Sequence, residues 1–230
     1  MKKLLVSLAA LFVLSIPAAV KADTLTFTPS PSDLGDLDHH RVYAWRIGGV
    51  NLNGQVITGA RITFKNIRNW DNRANTLFVH LLDTAKVSGV SSFIDDTRDR
   101  AQLTDAQLQA SMIDDFANTR FHNQSSWLLN SGTADTFLFS RSFPTTGQNF
   151  VYNFTAGQLQ ALMAYIANDG RFALGFDPDC HFFNDGIVLE IFTASAPVPE
   201  PATMALLSTG LAGLYYRRRR QRRRESNLEA

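Results

Sequence analysis

The chain has 230 residues and a formal net charge of +1, but these totals combine three chemically different segments. Residues 23–196 carry 12 Lys and Arg against 18 Asp and Glu, whereas residues 1–22 carry three lysines and no acid, and residues 197–230 carry seven arginines. The aromatic content of 11% excludes a disordered chain, and the single cysteine excludes a disulfide framework and a cysteine-based zinc site. The middle segment is long enough for one domain with a full hydrophobic core.

Residues 1–22 have the layout of a secretory signal peptide. A Met-Lys-Lys head is followed by an almost wholly apolar run over residues 4–16 and then by small residues up to Ala22. The run of about 13 residues is short for a permanent helix across ~30 Å of hydrocarbon, and it lacks the polar face of an amphipathic helix. We expect signal peptidase to cleave after Ala22, so that the remaining protein folds outside the cytoplasm.

The middle segment, residues 23–196, is dominated by the alternation that is typical of β-strands. Turn residues such as Gly48-Gly49, Asn53-Gly54 and Asp185-Gly186 separate the alternating stretches. The candidate strands are 25–28, 41–47, 56–67, 77–82, 136–143, 150–154, 172–176 and 187–192. Many short strands in one domain favour a mainly β fold, and we predict a two-sheet, jelly-roll-like β-sandwich.

Two short helices are predicted to interrupt the strands. Thr104 and Gln107 have the spacing of a capping box, and Thr155 and Gln158 repeat it. Apolar stripes follow both boxes, at Leu108, Met112 and Phe116 and at Leu159, Leu162, Met163 and Ile166. We expect both stripes to pack against the edge of the sandwich or to close its open end.

The densest polar cluster lies at residues 177–186. Asp177, Asp179 and Asp185 offer the oxygen ligands that Ca²⁺ prefers, although their spacing does not fit an EF-hand loop. The alternative is a tight loop whose aspartates accept hydrogen bonds from their own backbone amides. Both interpretations stay open, and Ca²⁺ is the candidate cofactor.

Other signals of chemistry in the middle segment are weak. Cys180 and His181 would need further ligands to form a soft-metal site, and a lone buried cysteine is the simpler interpretation. The acidic residues are 17 aspartates and one glutamate, and no pair of carboxylates stands out for a glycosidase. The segment has no Gly-x-Ser-x-Gly elbow, His-Glu-x-x-His helix or phosphate-binding glycine loop. We therefore expect a protein that is not an enzyme.

The tryptophans are the remaining candidates for ligand binding. Trp45, Trp70 and Trp127 offer surfaces for stacking on sugar rings, although burial in the core is the commoner role of such residues. Trp70 lies in the polar sequence Asn-Trp-Asp-Asn-Arg, residues 69–73. It is therefore our candidate for an exposed glycan platform.

Residues 197–230 contain three parts in a fixed order. Pro199, Glu200 and Pro201 form a stiff extended stretch, residues 204–216 are apolar and uncharged, and a basic block follows. The block consists of Arg217, Arg218, Arg219, Arg220, Arg222, Arg223 and Arg224. This order predicts a hydrophobic helix that the arginines stop on the cytoplasmic side of the membrane. Because 13 helical residues cover only ~20 Å, the helix would span the bilayer only with local thinning or with snorkelling of the arginine side chains. Nucleic-acid binding by the block is the weaker interpretation on an exported chain.

The Pro-Glu-Pro motif, the hydrophobic helix and the arginine cluster together resemble the PEP-CTERM sorting signal, over residues 198–224. The resemblance implies that exosortase, a membrane protease or transpeptidase-like enzyme, recognises residues 199–201 and processes the protein. It also implies a transient anchor at 204–216 and a stop-transfer role for the arginines. The expected location is the envelope, the surface or the extracellular matrix of a Gram-negative-type bacterium.

The middle segment is broadly similar to the β-sandwich passengers of PEP-CTERM proteins and to jelly-roll carbohydrate-binding modules, in stretches such as 62–83 and 172–187. We expect an exported, non-catalytic envelope or matrix protein whose sandwich binds or scaffolds extracellular polysaccharide, for example in a biofilm. One alternative is a secreted hydrolase that acts on polysaccharide, and another is a structural surface protein without a ligand. The expected partners are signal peptidase, exosortase, the membrane and a polysaccharide, but not nucleic acid.

Overall fold

The computed structural model describes residues 22–38, 41–94, 104, 106–107, 113–117, 129, 133–196 and 201–226. Ala22–Ser195 forms one compact unit, and the C-terminal helix belongs to a separate unit. The predicted signal peptide lies outside the described residues except for Ala22.

Strands of the compact unit form two antiparallel sheets. They are β1 (Ala22–Phe27), β2 (Arg41–Ile47), β3 (Gln55–Asn69), β4 (Leu77–Leu82), β5 (Gly89–Ile94), β6 (Asp135–Arg141), β7 (Gln148–Asn153), β8 (Phe172–Pro178), β9 (Phe182–Phe183) and β10 (Ile187–Ser195). The first sheet has the order β1-β10-β3-β7, with β9 paired to β3, and the second has the order β5-β2-β8-β4-β6. The chain crosses repeatedly between the sheets, as in other sandwiches of this type. The predicted mainly β, two-sheet sandwich is confirmed.

The inward faces of the two sheets supply the main core. Phe64 on β3 makes edge-to-face contacts with Phe176 on β8 and with Phe139 on β6, each with ring centroids 6.1 Å apart. Phe64 and Phe176 have no measurable exposure. Since β3 lies in one sheet and both partners lie in the other, these rings hold the sheets face to face.

The second sheet is also covered on its outer face. Phe116 and Leu129 pack there against Leu82 and Ala173, so that β8 is buried along its whole length. A Cβ atom added to Gly175 would lie 2.7 Å from the ring of Phe116, which explains why this position has no side chain. The segment that follows β5 therefore contributes a second, smaller core.

The first predicted helix is described only in part. Thr104 and Gln107 make the predicted capping-box bonds, because Gln107 Oε1 accepts from the Thr104 amide at 2.9 Å and Thr104 Oγ1 accepts from the Gln107 amide at 3.3 Å. Leu108 and Met112 lie outside the described residues. Phe116 lies in a turn and not in the expected helical stripe, because Asp114 Oδ1 accepts from the amides of Phe116 and Ala117 at 3.1 Å and holds that turn.

The second predicted helix is confirmed as α1 (Ala156–Asp169). Thr155 is its N-cap, and the capping box with Gln158 is complete. Gly170 ends the helix in a left-handed conformation with φ 73°, which glycine adopts without steric cost. Leu162 and Ile166 are buried in the main core, so the stripe packs against the sandwich as expected.

The C-terminal segment forms the helix α2 (Pro201–Ser226), which runs without a break from the apolar stretch 204–216 through the arginine cluster. Pro201 is its first residue, a position that proline tolerates because the first turn has no partner for an N–H group. Among the helices that the structure describes, none is both long enough and apolar enough to cross a membrane.

Candidate functional site

The site is organised by Trp70, which follows the last residue of β3 directly. Its side chain is 50% exposed, as predicted from its polar sequence neighbours. The short strand β9 pairs with this end of β3, with Arg68 opposite Phe183 and Asn69 opposite Phe182. Since side chains alternate along a strand, Asn69 and Phe182 are buried while Arg68 and Phe183 lie on the outer side with Trp70.

Three rings form a row on this outer side. His181 stacks on Trp70 with centroids 6.4 Å apart and an interplanar angle of 25°. Phe183 lies next to His181 at 4.6 Å, and the guanidinium carbon of Arg68 lies 5.1 Å from the centre of the Phe183 ring. We call Trp70, His181, Phe183 and Arg68 the aromatic strip. His181 and Phe183 are half-buried.

Trp70 makes two hydrogen bonds to the loop at residues 180–181, one of them from its indole. Its Nε1 donates to Cys180 Sγ at 3.0 Å, and its backbone amide donates to the carbonyl of His181 at 3.2 Å. Cys180 is buried, with 4% exposure, as expected for the lone cysteine. The residue therefore serves as a buried acceptor beneath the strip, and the exposed indole is held in place before any ligand arrives.

A network of amides stiffens the loop behind Trp70. Asn75 Nδ2 donates to Asn69 Oδ1 at 2.6 Å and to Asp71 Oδ1 at 3.2 Å. Asn69 Nδ2 donates to the carbonyl of Arg73 at 2.9 Å, and Asp71 Oδ1 accepts from the Arg73 amide at 2.9 Å. These bonds close the loop on itself, so its polar residues position Trp70.

The three aspartates of the predicted calcium site are not brought together. Asp177 is buried on the outer face of the second sheet, where its Oδ2 accepts from the amide of Asp115 at 2.7 Å. Asp185 is exposed beside β3 in the first sheet, and its Oδ2 accepts from Asn66 Nδ2 at 3.0 Å. Within the described residues, which include Asp179, no group of three or more His, Cys, Asp or Glu side chains could hold a metal ion.

In the loop that contains these aspartates, a side chain accepts from the loop's own backbone, as in the alternative interpretation, but this side chain is Asn184. Asn184 Oδ1 accepts from the amide of Gly186 at 3.0 Å, which is a turn stabilised by its own side chain. Asn184 Nδ2 also donates to the carbonyl of Asp33 at 2.9 Å and ties the loop to the segment before β2. The loop therefore places His181 and Phe183 in the aromatic strip.

A second polar cluster, which the sequence did not reveal, lies on β4. His80 is 2% exposed, and its Nδ1 lies 2.7 Å from Asp135 Oδ1 while its Nε2 lies 3.0 Å from Asp114 Oδ2. Burial by itself lowers the pKa of His80, but the hydrogen bonds and charges of Asp114 and Asp135 outweigh it and raise the pKa to about 9. The only sequence signal was a histidine within an otherwise apolar strand.

The His80 cluster is a structural ion pair. Both ring nitrogens are bonded to carboxylates, so neither is available to accept a proton from a substrate. The pKa of Asp114 is lowered, since the bond and charge of His80 and two backbone amides outweigh the effect of burial. The cluster joins β4 and β6 to the turn that contains Phe116, and so holds this turn on the sheet.

The sorting signal lies at the C-terminus. Pro201 begins α2, whereas Pro199 and Glu200 lie outside the described residues. Residues 217–220 are exposed on α2, and residues 222–224 continue the same helix. Residues 197–220 match the model of the PEP-CTERM protein-sorting motif. The chain carries a PEP-CTERM sorting signal.

The PEP-CTERM signal marks an exported protein that is transiently anchored and sorted by exosortase. The match covers the C-terminal segment and does not extend into the sandwich. No curated protein matches the chain. The function of the sandwich must therefore be argued from its own surface.

Proposed function

We propose that the exported sandwich binds extracellular polysaccharide through the aromatic strip and that it scaffolds the envelope or the matrix without catalysing a reaction. The observation that supports this most is the row formed by the exposed Trp70 and the half-buried His181 and Phe183, with neighbouring ring centroids 6.4 and 4.6 Å apart.

The physical argument concerns apolar surface. A pyranose ring has an apolar face of C–H groups, and an aromatic ring removes that face from water without demanding buried hydrogen bonds. Trp70 leaves half of its surface in water in the unbound protein, which is a cost that stacking would offset. Because Cys180 already fixes the indole, binding loses little side-chain entropy.

The sorting signal supports the same proposal by location. A PEP-CTERM protein leaves the cytoplasm, and a row of rings on an open surface suits a long polymer outside the cell better than a small metabolite. The engagement of both nitrogens of His80 supports the non-catalytic part, since this histidine cannot serve as a general base.

The test is polysaccharide binding by the full chain in a mild detergent, measured by affinity electrophoresis against neutral and acidic polymers. Trp70→Ala should weaken binding at least about tenfold, as for the central aromatic residues of other interfaces. Phe137→Ala is the matched control, because Phe137 is 49% exposed on β6 of the other sheet. Equal binding by the wild type and Trp70→Ala would refute the site. Release of reducing ends from a bound polymer would refute the non-catalytic part.

A further inference from the structure

Arg68 differs from Arg61 and Arg171 in how its charge is balanced. Arg61 forms a two-bond pair with Glu190, at 2.6 and 3.1 Å, and Arg171 pairs with Asp169. Arg68 makes one hydrogen bond, from Nη1 to the carbonyl of Asn66 at 3.3 Å. Among the described residues, no carboxylate lies within ion-pair distance of its guanidinium.

Two acids of the neighbouring loops are already engaged. Asp185 accepts from Asn66 Nδ2, and Asp71 accepts from the amide of Arg73 and from Asn75 Nδ2. A guanidinium has five N–H donors, so one bond to a carbonyl leaves most of them for a ligand. This unpaired cation is notable because residues 23–196 carry 12 basic against 18 acidic side chains.

We propose that the aromatic strip recognises an acidic polysaccharide and that Arg68 binds the carboxylate of a uronic acid residue while the neighbouring sugars stack on Phe183, His181 and Trp70. This inference rests on the proposed function, since it names the class of polymer that the strip would take. The guanidinium carbon of Arg68 lies 5.1 Å from the centre of the Phe183 ring, so the cation and the rings lie side by side.

Charge and geometry both favour a carboxylate. The planar guanidinium presents paired donors that match the two oxygens of a carboxylate, and such charge-assisted bonds are stronger than neutral ones. A net negative domain repels a polyanion in general, so a productive contact requires a local cation at the place where the rings stack. Arg68 is the cation that touches this row.

The test compares two polymers with the same backbone, polygalacturonate and its fully methyl-esterified form, for binding to the full chain in a mild detergent at low salt. The wild type should bind the acid form roughly three- to tenfold more tightly, a range between an exposed ion pair and a charge-assisted bond. Arg68→Gln should remove this preference, because it should weaken binding to the acid form more than binding to the ester. Arg68→Lys should retain part of the preference, because the charge stays and the paired donors are lost.

Arg141→Gln is the matched control for bulk charge. Arg141 is exposed, its guanidinium lies 4.4 Å from the ring centre of Phe150, and no carboxylate among the described residues pairs with it. This variant should keep the wild-type preference. Equal loss in Arg141→Gln and Arg68→Gln would overturn the inference, because any positive charge would then suffice. Competition by dextran sulfate as strong as by polygalacturonate would overturn it for the same reason.

The outcomes separate the inference from the proposed function. If the wild type binds both polymers equally and Trp70→Ala weakens both, the role of Arg68 is overturned and the aromatic strip stands. If neither polymer binds, the assignment to a uronic acid polymer is overturned. If polymers bind and Trp70→Ala behaves like the wild type, the strip itself is overturned.

Discussion

Raising the pH through the pKa of His80 should destabilise the sandwich by about 3 kcal/mol. The imidazolium is bonded to Asp114 and Asp135 at 3.0 and 2.7 Å, and its pKa in the folded protein is about 9 against an ordinary value of 6.5. At about 1.4 kcal/mol per pH unit, this difference is worth about 3 kcal/mol. Solvent screens the interaction of His80 with the two carboxylates little, because His80 is 2% exposed.

The sign follows from the direction of the pKa change. Because the folded pKa is raised above the unfolded value, the contribution is fully present below pH 6.5 and is lost as the pH rises through about 9. Above that pH, the ring is neutral and no longer balances the negative charges of the two carboxylates, which then repel each other. For a domain of this size, the loss corresponds to a melting temperature lower by roughly 6–12 °C.

The measurement is urea unfolding of the full chain, followed by tryptophan fluorescence at pH 6 and pH 10, for the wild type and for His80→Gln. Lysines and tyrosines also titrate in this range, so the difference between the two proteins isolates His80. We expect His80→Gln to lose about 3 kcal/mol more relative to the wild type at pH 6 than at pH 10. The same pH dependence in both proteins would refute the assignment of a charged His80.

Four further outcomes are expected. Gly175→Ala should cost about 1–3 kcal/mol in urea unfolding, because the new Cβ would lie 2.7 Å from the ring of Phe116, and unchanged stability would show that this ring moves away freely. Alanines at residues 199–201 should leave export intact and retain the protein in the membrane fraction, whereas normal release would show that exosortase does not use the motif. The melting temperature should be the same in millimolar Ca²⁺ and in chelator, since the described carboxylates form no metal cluster, and an increase of several degrees in Ca²⁺ would contradict this. Residues 22–195 should fold alone with a circular-dichroism spectrum dominated by β-structure, because the unit contains both cores, and a spectrum dominated by helix would contradict the fold.

The strands were predictable where one face is buried. β10 alternates between buried and half-buried residues over residues 187–194, with the apolar Ile187, Leu189 and Ile191 on the buried side. β5 was missed because it is an edge strand with no fully buried residue, so its sequence, Gly-Val-Ser-Ser-Phe-Ile, carries almost no alternation. β9 has two residues and exists only through its pairing with β3, which no local pattern encodes.

The polar contacts were beyond the reach of sequence reasoning because they join distant segments. Asp114 and Asp135 lie 34 and 55 residues from His80, so no motif spacing connects the three. The aspartates at 177 and 185 were near in sequence, yet the chain places one in each sheet region, with different partners. Proximity along the chain was therefore a poor guide to a metal site in a sandwich whose strands cross between sheets.

The aromatic strip shows how much one short pairing can decide. Trp70 was predicted as exposed from its polar neighbours, but a single indole offers one contact to a polymer. The pairing of Arg68 with Phe183 brings a segment 110 residues away beside it, and alternation then buries Phe182 in the core while it leaves Phe183 outside. Phe182 thus anchors the loop in the core, and Phe183 extends the strip. Conversely, a change that breaks this register should uncouple His181 and Phe183 from Trp70 while leaving the two large sheets paired.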